Sequence, residues 1–206
     1  MKQQVVIIHG ADAYETREKY LDALKNFKVD DIGYFVKKGW KRNLQERLGN
    51  DFEVIAPTMP NDWNARYAEW KIWFEKLVPF LNDGVILAGH SMGGIFFAKY
   101  LSENDFPKKI KATFLAAPPF STDTGGESLV DFVPLNDLKK LGEQGGHITF
   151  YQSKDDPIVL FKNIESYQKL LPEAKYVIFE DRGHFFGDEF PEIVEDIKKE
   201  AERRTA

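Results

Sequence analysis

The sequence predicts an α/β fold in which helices cover both faces of a mostly parallel, six-stranded sheet. Short apolar runs rich in β-branched residues alternate along the chain with amphipathic segments, as in consecutive right-handed βαβ units. Several of these runs are continuously apolar, which is typical of parallel strands buried on both faces. We therefore expect a three-layer α/β/α sandwich that binds its ligands beyond the carboxyl ends of the strands.

The elements follow one another without an internal repeat or a linker, so residues 1–206 are expected to form a single domain. Apolar runs predict strands at 5–8, 52–56, 85–88, 111–116, 147–151 and 176–179. Helical periodicity predicts helices at 16–27, 37–48, 63–78, 95–101, 135–141, 161–171 and 190–201. In the third helix, Asn61 and Asp62 are the expected cap, and three tryptophans are interpreted as core anchors between helix and sheet.

Composition excludes several classes of function. Hydrophobic residues make up 43% of the chain and charged residues 30%, with a net charge of −5 and no basic stripe, which argues against nucleic-acid binding. There is no cysteine, so disulfides, thiolate nucleophiles and zinc-thiolate sites are excluded. No apolar run reaches the length of a membrane span, and no signal peptide is recognised, so a cytoplasmic location without membrane partners is expected. Histidines and carboxylates do not cluster at ligand spacings, and neither a metal nor another cofactor is expected.

The segment Gly89-His90-Ser91-Met92-Gly93 carries the clearest chemical signal. It follows an apolar run and leads into a helical one, which is the context of the G-x-S-x-G nucleophile elbow. On such a turn the serine Oγ points out of the sheet edge, and positions two before and two after it must be nearly free of side chains. The free N–H groups of the following helix then face the serine. Ser91 is the predicted nucleophile.

A serine needs a base, and the chain contains four histidines. His90 adjoins the serine on the tight turn, so its side chain is expected to point elsewhere. His9 ends the first strand, and His147 begins a strand at the opposite sheet edge. Elimination leaves His184, which follows the last strand and a glycine.

The orienting acid is expected after the fifth strand, at the same sheet edge. Asp156 is preferred because the following proline defines the turn, and Asp155 is the alternative. Asp181 lies too close to His184 in the same loop to reach it easily. Backbone N–H groups of Met92 and Ala11, the latter in the loop after the first strand, are the predicted oxyanion hole.

With these residues the chain resembles the α/β-hydrolase superfamily, and within it the small branch of retinoblastoma-binding-protein-9-like and YdeN-like serine hydrolases. The resemblance rests on His9-Gly10-Ala11, the elbow, the segments 153–159 and 181–186, and the order Ser, Asp, His. It implies an α/β-hydrolase fold with strand order 2-1-3-4-5-6 and a minimal or short cap. It also favours Asp156, since the superfamily's acid precedes x-x-Val. Residues 28–50 are an expected insertion, and residues 118–146 are the expected site of the short cap.

The resulting prediction is a serine hydrolase of the carboxylesterase type that cleaves small acyl esters through an acyl-enzyme on Ser91. Phe120, Phe185, Phe186 and the side chain of Met92 are expected to border the acyl pocket. Two alternatives stay open at this stage. One is a catalytically idle scaffold that binds proteins, and the other is thioesterase, peptidase or acyltransferase chemistry on the same fold. The sequence does not predict the natural substrate or the oligomeric state.

Overall fold

The computed structural model describes residues 2–35, 39–121, 128–133, 135 and 137–203. Its centre is a six-stranded sheet in which every neighbouring pair of strands is parallel. The strands run in the order 2-1-3-4-5-6, as the resemblance implied. They are β1 (Gln3–Ile8), β2 (Phe52–Ile55), β3 (Val85–His90), β4 (Ile110–Ala116), β5 (His147–Ser153) and β6 (Lys175–Phe179).

Helices lie on both faces of this sheet, and the predicted three-layer α/β/α fold is confirmed. The helices are α1 (Arg17–Asn26), α2 (Trp40–Leu48), α3 (Tyr67–Leu77), α4 (Met92–Glu103), α5 (Lys139–Gln144), α6 (Lys162–Leu170) and α7 (Pro191–Glu202). One core cluster joins the sheet to α3, α4, α5 and α6, and the other joins it to α2 and α7. None of the described helices is long and apolar enough to cross a membrane.

The continuously apolar strands supply both core clusters at once. In β1, Val6 and Ile8 point into the first cluster while Val5 and Ile7 point into the second, and each is at most 2% exposed. Successive side chains of a strand point to opposite faces, so a strand covered by helices on both sides favours apolar residues at nearly every position. This burial anchors the carboxyl ends of the strands, where the candidate chemistry lies.

Helix α3 begins later than the sequence predicted. The expected cap at Asn61 and Asp62 is wrong, because the helix starts at Tyr67. Its first N–H groups are capped from a distant segment, since the Asp131 carboxylate accepts bonds of 2.8 and 3.1 Å from Tyr67 and Ala68. A carboxylate at this end also complements the helix dipole. The cap therefore depends on tertiary contact and has no local signature.

The tryptophans of this region are only partly core anchors. Trp70 is fully buried, as predicted, but Trp73 is 51% exposed, because it lies on the solvent-facing side of α3. Trp63 precedes the helix and packs edge-to-face against Phe27, with ring centroids 5.4 Å apart. Helix α1, which ends just before Phe27, has no buried residue, so its apolar face is packed less closely than expected.

The two predicted departures from a minimal fold contain ordered elements. The expected insertion, 28–50, includes α2, which packs on the sheet through Trp40, Leu44 and Leu48. In the expected cap, 118–146, the short helix lies at α5 rather than at 135–141. Residues 122–127, 134 and 136 of this segment lie outside the described residues, while Leu129 and Phe132 are buried in the first core cluster. A cap over the site and a single domain stay predictions.

Candidate active site

Ser91 lies between β3 and α4 in a backbone conformation that few residues adopt. Its φ of 54° and ψ of −119° are unfavourable for a side chain with a Cβ, at a typical cost of about 1–3 kcal/mol. The turn is tight because a Cβ on Gly89 would lie 2.4 Å from the carbonyl oxygen of Gly93. A Cβ on Gly93 would lie 2.2 Å from the carbonyl oxygen of Ile8. The two glycines of the motif are thus sterically required, and the strained serine is held at the sheet edge.

The predicted oxyanion donors are the backbone N–H groups of Met92 and Ala11. Met92 is the first residue of α4, so its N–H has no acceptor within the helix. Among the described residues, no acceptor is bonded to the N–H of Met92 or of Ala11. The loop before Ala11 approaches closely, since a Cβ on Gly10 would lie 3.1 Å from the Cβ of Ser91. An oxyanion hole needs N–H groups without another acceptor, and Met92 and Ala11 stay its predicted donors.

Asp156, in the turn after β5, is bonded to His184, in the loop after β6. The Nδ1 atom of His184 lies 2.8 Å from Oδ2 of Asp156, and the two side chains are almost completely buried. A carboxylate accepts hydrogen bonds only, so Nδ1 carries the proton and a neutral ring keeps its lone pair on Nε2. The other carboxylate oxygen accepts from the N–H groups of Ile158 and Val159, each at 2.9 Å. These bonds fix the Asp156 carboxylate in position opposite the His184 ring.

Asp155, the alternative acid, has a different place in the structure. Its Oδ1 accepts from Ser153 Oγ at 2.5 Å and from the Gly183 N–H at 2.8 Å. The bond from Ser153 is the main cause that lowers the pKa of Asp155 below its usual value, and the bond from Gly183 is the next. Since Gly183 precedes His184 and has a φ of 52°, Asp155 supports the turn that carries the histidine. The third candidate, Asp181, is exposed.

Gln152 is a contact of Asp156 that the sequence analysis missed. It is fully buried at the end of β5, and its Nε2 lies 3.3 Å from Asp156 Oδ2 and 2.9 Å from the Val159 carbonyl oxygen. Its Oε1 is buried without a partner among the described residues, which is normally unfavourable. The only signal in the sequence is a large polar residue near the end of a mostly buried strand.

His90 and Lys41 form a second connection that the sequence did not reveal. As expected, the His90 ring points elsewhere than the serine, and it reaches the loop that carries His184. Its Nε2 lies 2.8 Å from the carbonyl oxygen of His184, so Nε2 carries the proton and Nδ1 accepts from Lys41 Nζ at 3.2 Å. Burial, and next the nearby Lys41 charge, lower the pKa of His90 well below its usual value. His90 is thus a neutral link between α2 and the loop of His184.

The remaining histidines lie where elimination required. The His9 ring bridges neighbouring backbone, with Nε2 accepting from the Met59 N–H at 3.0 Å and Nδ1 lying 2.7 Å from the Gly10 carbonyl oxygen. His147 begins β5 at the opposite sheet edge and pairs with Glu200 at 2.8 Å. Neither contact brings the ring to Asp156.

The four residues expected at the pocket differ in exposure. Phe186 is 67% exposed and packs against the His184 ring with centroids 5.0 Å apart. Phe120 is partly buried and packs edge-to-face on Tyr167. Phe185 is 5% exposed and stacks on Phe190 in the second core cluster, so it packs in the core rather than bordering an open pocket. The Met92 side chain is 3% exposed and belongs to the first cluster.

A strained serine after the third strand, helix N–H groups beside it and a buried histidine–aspartate pair at the same edge define an α/β hydrolase. The sequence matches the family model of serine hydrolases over residues 36–192. The chain belongs to this serine hydrolase family, and it is a hydrolase.

Individual relatives agree with this assignment. The chain is 28% identical over 163 residues to the serine hydrolase RBBP9 of Rattus norvegicus, covering 78% of this chain and 83% of that protein. The crystal structure of the ydeN gene product of B. subtilis superposes with a TM-score of 0.73 at 18% identity, covering 98% of this chain and all of that one. A putative YdeN-like hydrolase of Pectobacterium atrosepticum gives a TM-score of 0.66 at 15% identity, covering 98% and 91%. These two structures share the fold of this chain.

Proposed function

We propose that this chain is a carboxylesterase-type serine hydrolase that cleaves small acyl esters through an acyl-enzyme on Ser91. The observation that carries the proposal is the buried bond from His184 Nδ1 to Asp156, which directs the ring's lone pair to Nε2. A histidine in that tautomer is what a serine nucleophile needs as its base.

In the proposed mechanism, Ser91 Oγ attacks the ester carbonyl carbon while His184 Nε2 takes the hydroxyl proton. Asp156 orients the ring and stabilises the imidazolium that forms. The tetrahedral intermediate collapses when His184 returns the proton to the departing alcohol oxygen. Water then attacks the acyl-enzyme with His184 as its base, which releases the acid and restores the serine.

The N–H groups of Ala11 and Met92 are the proposed donors to the oxyanion. They need no rearrangement during the reaction, because one belongs to a helix end and the other to a loop packed beside Ser91. The loss of one such donor typically costs about 100- to 1000-fold in rate. As backbone groups they are difficult to remove by substitution.

The acyl pocket is proposed to include Phe120 and Phe186, the two aromatic candidates that are not packed in the core. This composition favours a modest apolar acyl group. Among proteins of the same fold is a pyrethroid hydrolase, PytH, with a TM-score of 0.60 at 14% identity, covering 98% of each chain. A fluorogenic or chromogenic ester series of increasing acyl length measures the size of this pocket.

A fluorophosphonate probe tests the proposed nucleophile directly. The wild-type protein should be labelled, while Ser91→Ala should not be labelled and should lack esterase activity. Ser102→Ala is the matched control, because that hydroxyl bonds to the Ala98 carbonyl oxygen within α4 and should leave labelling intact. Folded wild-type protein that resists the probe would contradict the proposal and favour the idle, protein-binding scaffold.

The choice among acyl-transfer reactions needs matched substrates. Esters, thioesters and amides of one acyl group should give the highest kcat/KM with the ester. A preference for the thioester or the amide would replace the esterase proposal with one of the alternatives on this fold. A cytoplasmic location stays a prediction of the sequence.

A further inference from the structure

Lys41 is a cation next to two parts of the candidate active site, the nucleophile elbow and the loop that carries His184. It is the second residue of α2, and its Nζ lies 3.2 Å from His90 Nδ1 and 5.2 Å from the centre of the Trp40 ring. His90 precedes Ser91 in the chain, and its other ring nitrogen is bonded to the His184 carbonyl oxygen. Trp40 donates from Nε1 to the Phe185 carbonyl oxygen at 3.0 Å. Lys41 is thereby held next to the elbow and the base loop together.

The charge of Lys41 lacks a carboxylate partner among the described residues. Several other described lysines form ion pairs, such as Lys154 with Glu180 at 2.7 Å and Lys175 with Asp196 at 2.8 Å. Lys41 contacts a neutral imidazole and an aromatic face instead. Burial lowers its pKa to about 8, which means that the ammonium form loses hydration without gaining a counter-ion.

Such a cation is unfavourable in the free protein and favourable once an anion arrives. A desolvated ammonium group gains most from a negatively charged oxygen that replaces its lost hydration. A Cβ on Gly10, in the oxyanion loop, would lie 3.4 Å from His90 Nδ1, the atom that Lys41 contacts, and 3.1 Å from Ser91 Cβ. The ammonium group therefore contacts a ring that packs, like Ser91, against Gly10.

We propose that Lys41 binds an anionic oxygen group of the substrate, so that the hydrolase prefers esters that carry a carboxylate or a phosphate near the reacting carbonyl. This inference rests on the proposed esterase function and names its substrate class. The anion pairs with the ammonium group beside the elbow while the ester carbonyl lies at Ser91. Lys41 determines specificity and takes no part in bond making.

Two pairs of esters test the preference and show which side of the ester carries the charge. On the acyl side, 4-nitrophenyl hemiadipate is compared with uncharged 4-nitrophenyl hexanoate, which has an acyl chain of equal length. On the alcohol side, 4-carboxyphenyl hexanoate is compared with 4-acetylphenyl hexanoate. For each protein the result is the ratio of kcat/KM for the anionic ester to that for its neutral partner. Because both esters use the same triad, general damage to the site cancels in this ratio.

In one of the two pairs, Lys41→Met should lower the ratio about 10- to 100-fold relative to wild type, as expected for the loss of a charged hydrogen bond. Lys41→Arg should keep most of the preference. The matched control is Lys154→Met. It removes an exposed lysine that already pairs with Glu180, so the ratio should stay unchanged.

The pH dependence gives a second readout. In wild type the ratio should fall as the pH rises through about 8, because Lys41 loses its charge while the substrate keeps its own. His90, the titratable group in contact with Lys41, stays neutral over this range. His184 is on the far side of His90, which is bonded to its carbonyl oxygen. In Lys41→Met the ratio should be flat. An unchanged ratio in Lys41→Met for both ester pairs would overturn the inference.

A binding measurement separates this inference from the esterase proposal. Monomethyl adipate is titrated calorimetrically into Ser91→Ala and into Ser91→Ala combined with Lys41→Met. Weaker binding to the double variant supports the anion site even if none of the four esters is hydrolysed, which would refute only the esterase proposal. Equal binding to the two proteins, together with unchanged ratios, refutes the anion site alone.

Discussion

The buried His90 should make the protein lose stability at mildly acidic pH. The usual histidine pKa of 6.5 applies to the unfolded chain, whereas burial and the Lys41 charge hold the pKa of His90 in the folded protein well below it. Below pH 6.5 the unfolded chain therefore binds a proton that the folded protein does not bind, and unfolding becomes more favourable. Between pH 7 and pH 5 this single group should cost about 2 kcal/mol of the free energy of unfolding.

The perturbation is His90→Gln, and the assay is urea unfolding of wild type and variant at pH 7 and at pH 5. Glutamine does not titrate, and its amide can still donate toward the His184 carbonyl oxygen that His90 contacts. Wild type should lose about 2 kcal/mol more than the variant over this pH range. Comparing the losses with pH removes any packing defect of the variant, since that defect is present at both pH values. Equal losses would refute the reasoning, because they would mean that His90 takes up its proton in the folded state.

Three further substitutions test the site and its scaffold. Asp156→Asn should lower turnover about 10⁴-fold by favouring the wrong histidine tautomer, while Asp155→Asn should have a small effect in the same esterase assay; the reverse order would move the acid to Asp155. Gly93→Ala should lower the free energy of unfolding by at least about 2 kcal/mol, because its Cβ would lie 2.2 Å from a strand carbonyl oxygen. Gly187→Ala, whose Cβ meets nothing closer than 3.8 Å, is the control for that denaturation measurement, and similar losses in the two variants would contradict the steric argument. Gln152→Met should lower kcat/KM about 3- to 10-fold through the loss of one donor to the acid, and wild-type kinetics in that variant would show that the amide does not support the acid.

Much of this fold can be predicted from local sequence, for a physical reason. Parallel strands buried on both faces need continuous apolar runs, so β1 and β3 are visible in the sequence as such. The elbow is equally visible, since only glycine fits at positions 89 and 93, where an added Cβ would lie less than 2.5 Å from a backbone carbonyl oxygen. Because the carboxyl ends of parallel strands share one edge, the loops after strands also indicate where site residues lie.

Contacts between distant segments were decided only by the tertiary structure. The cap of α3 comes from Asp131, which accepts a hydrogen bond from the Tyr67 N–H, 64 residues away. No local pattern distinguishes Asp131 from the expected cap at Asn61. Likewise, Phe185 and Phe186 are identical neighbours in sequence, yet one packs in the core and the other is exposed beside His184. The loop that carries them is bonded to α2, through Trp40 Nε1 and the Phe185 carbonyl oxygen.

The sequence by itself indicated the class of fold and the residues able to act as nucleophile, base and acid, because these follow from periodicity and from strand ends. The order of the strands came from the family resemblance. The tertiary structure showed that the Asp156 carboxylate, which the sequence preferred to that of Asp155, meets His184, and it alone decided that Lys41 lies beside His90. Both outcomes depend on how loops from separate strands and the N-terminus of α2 pack together. That packing is set by the burial of the whole chain and leaves no pattern in the short segments that it joins.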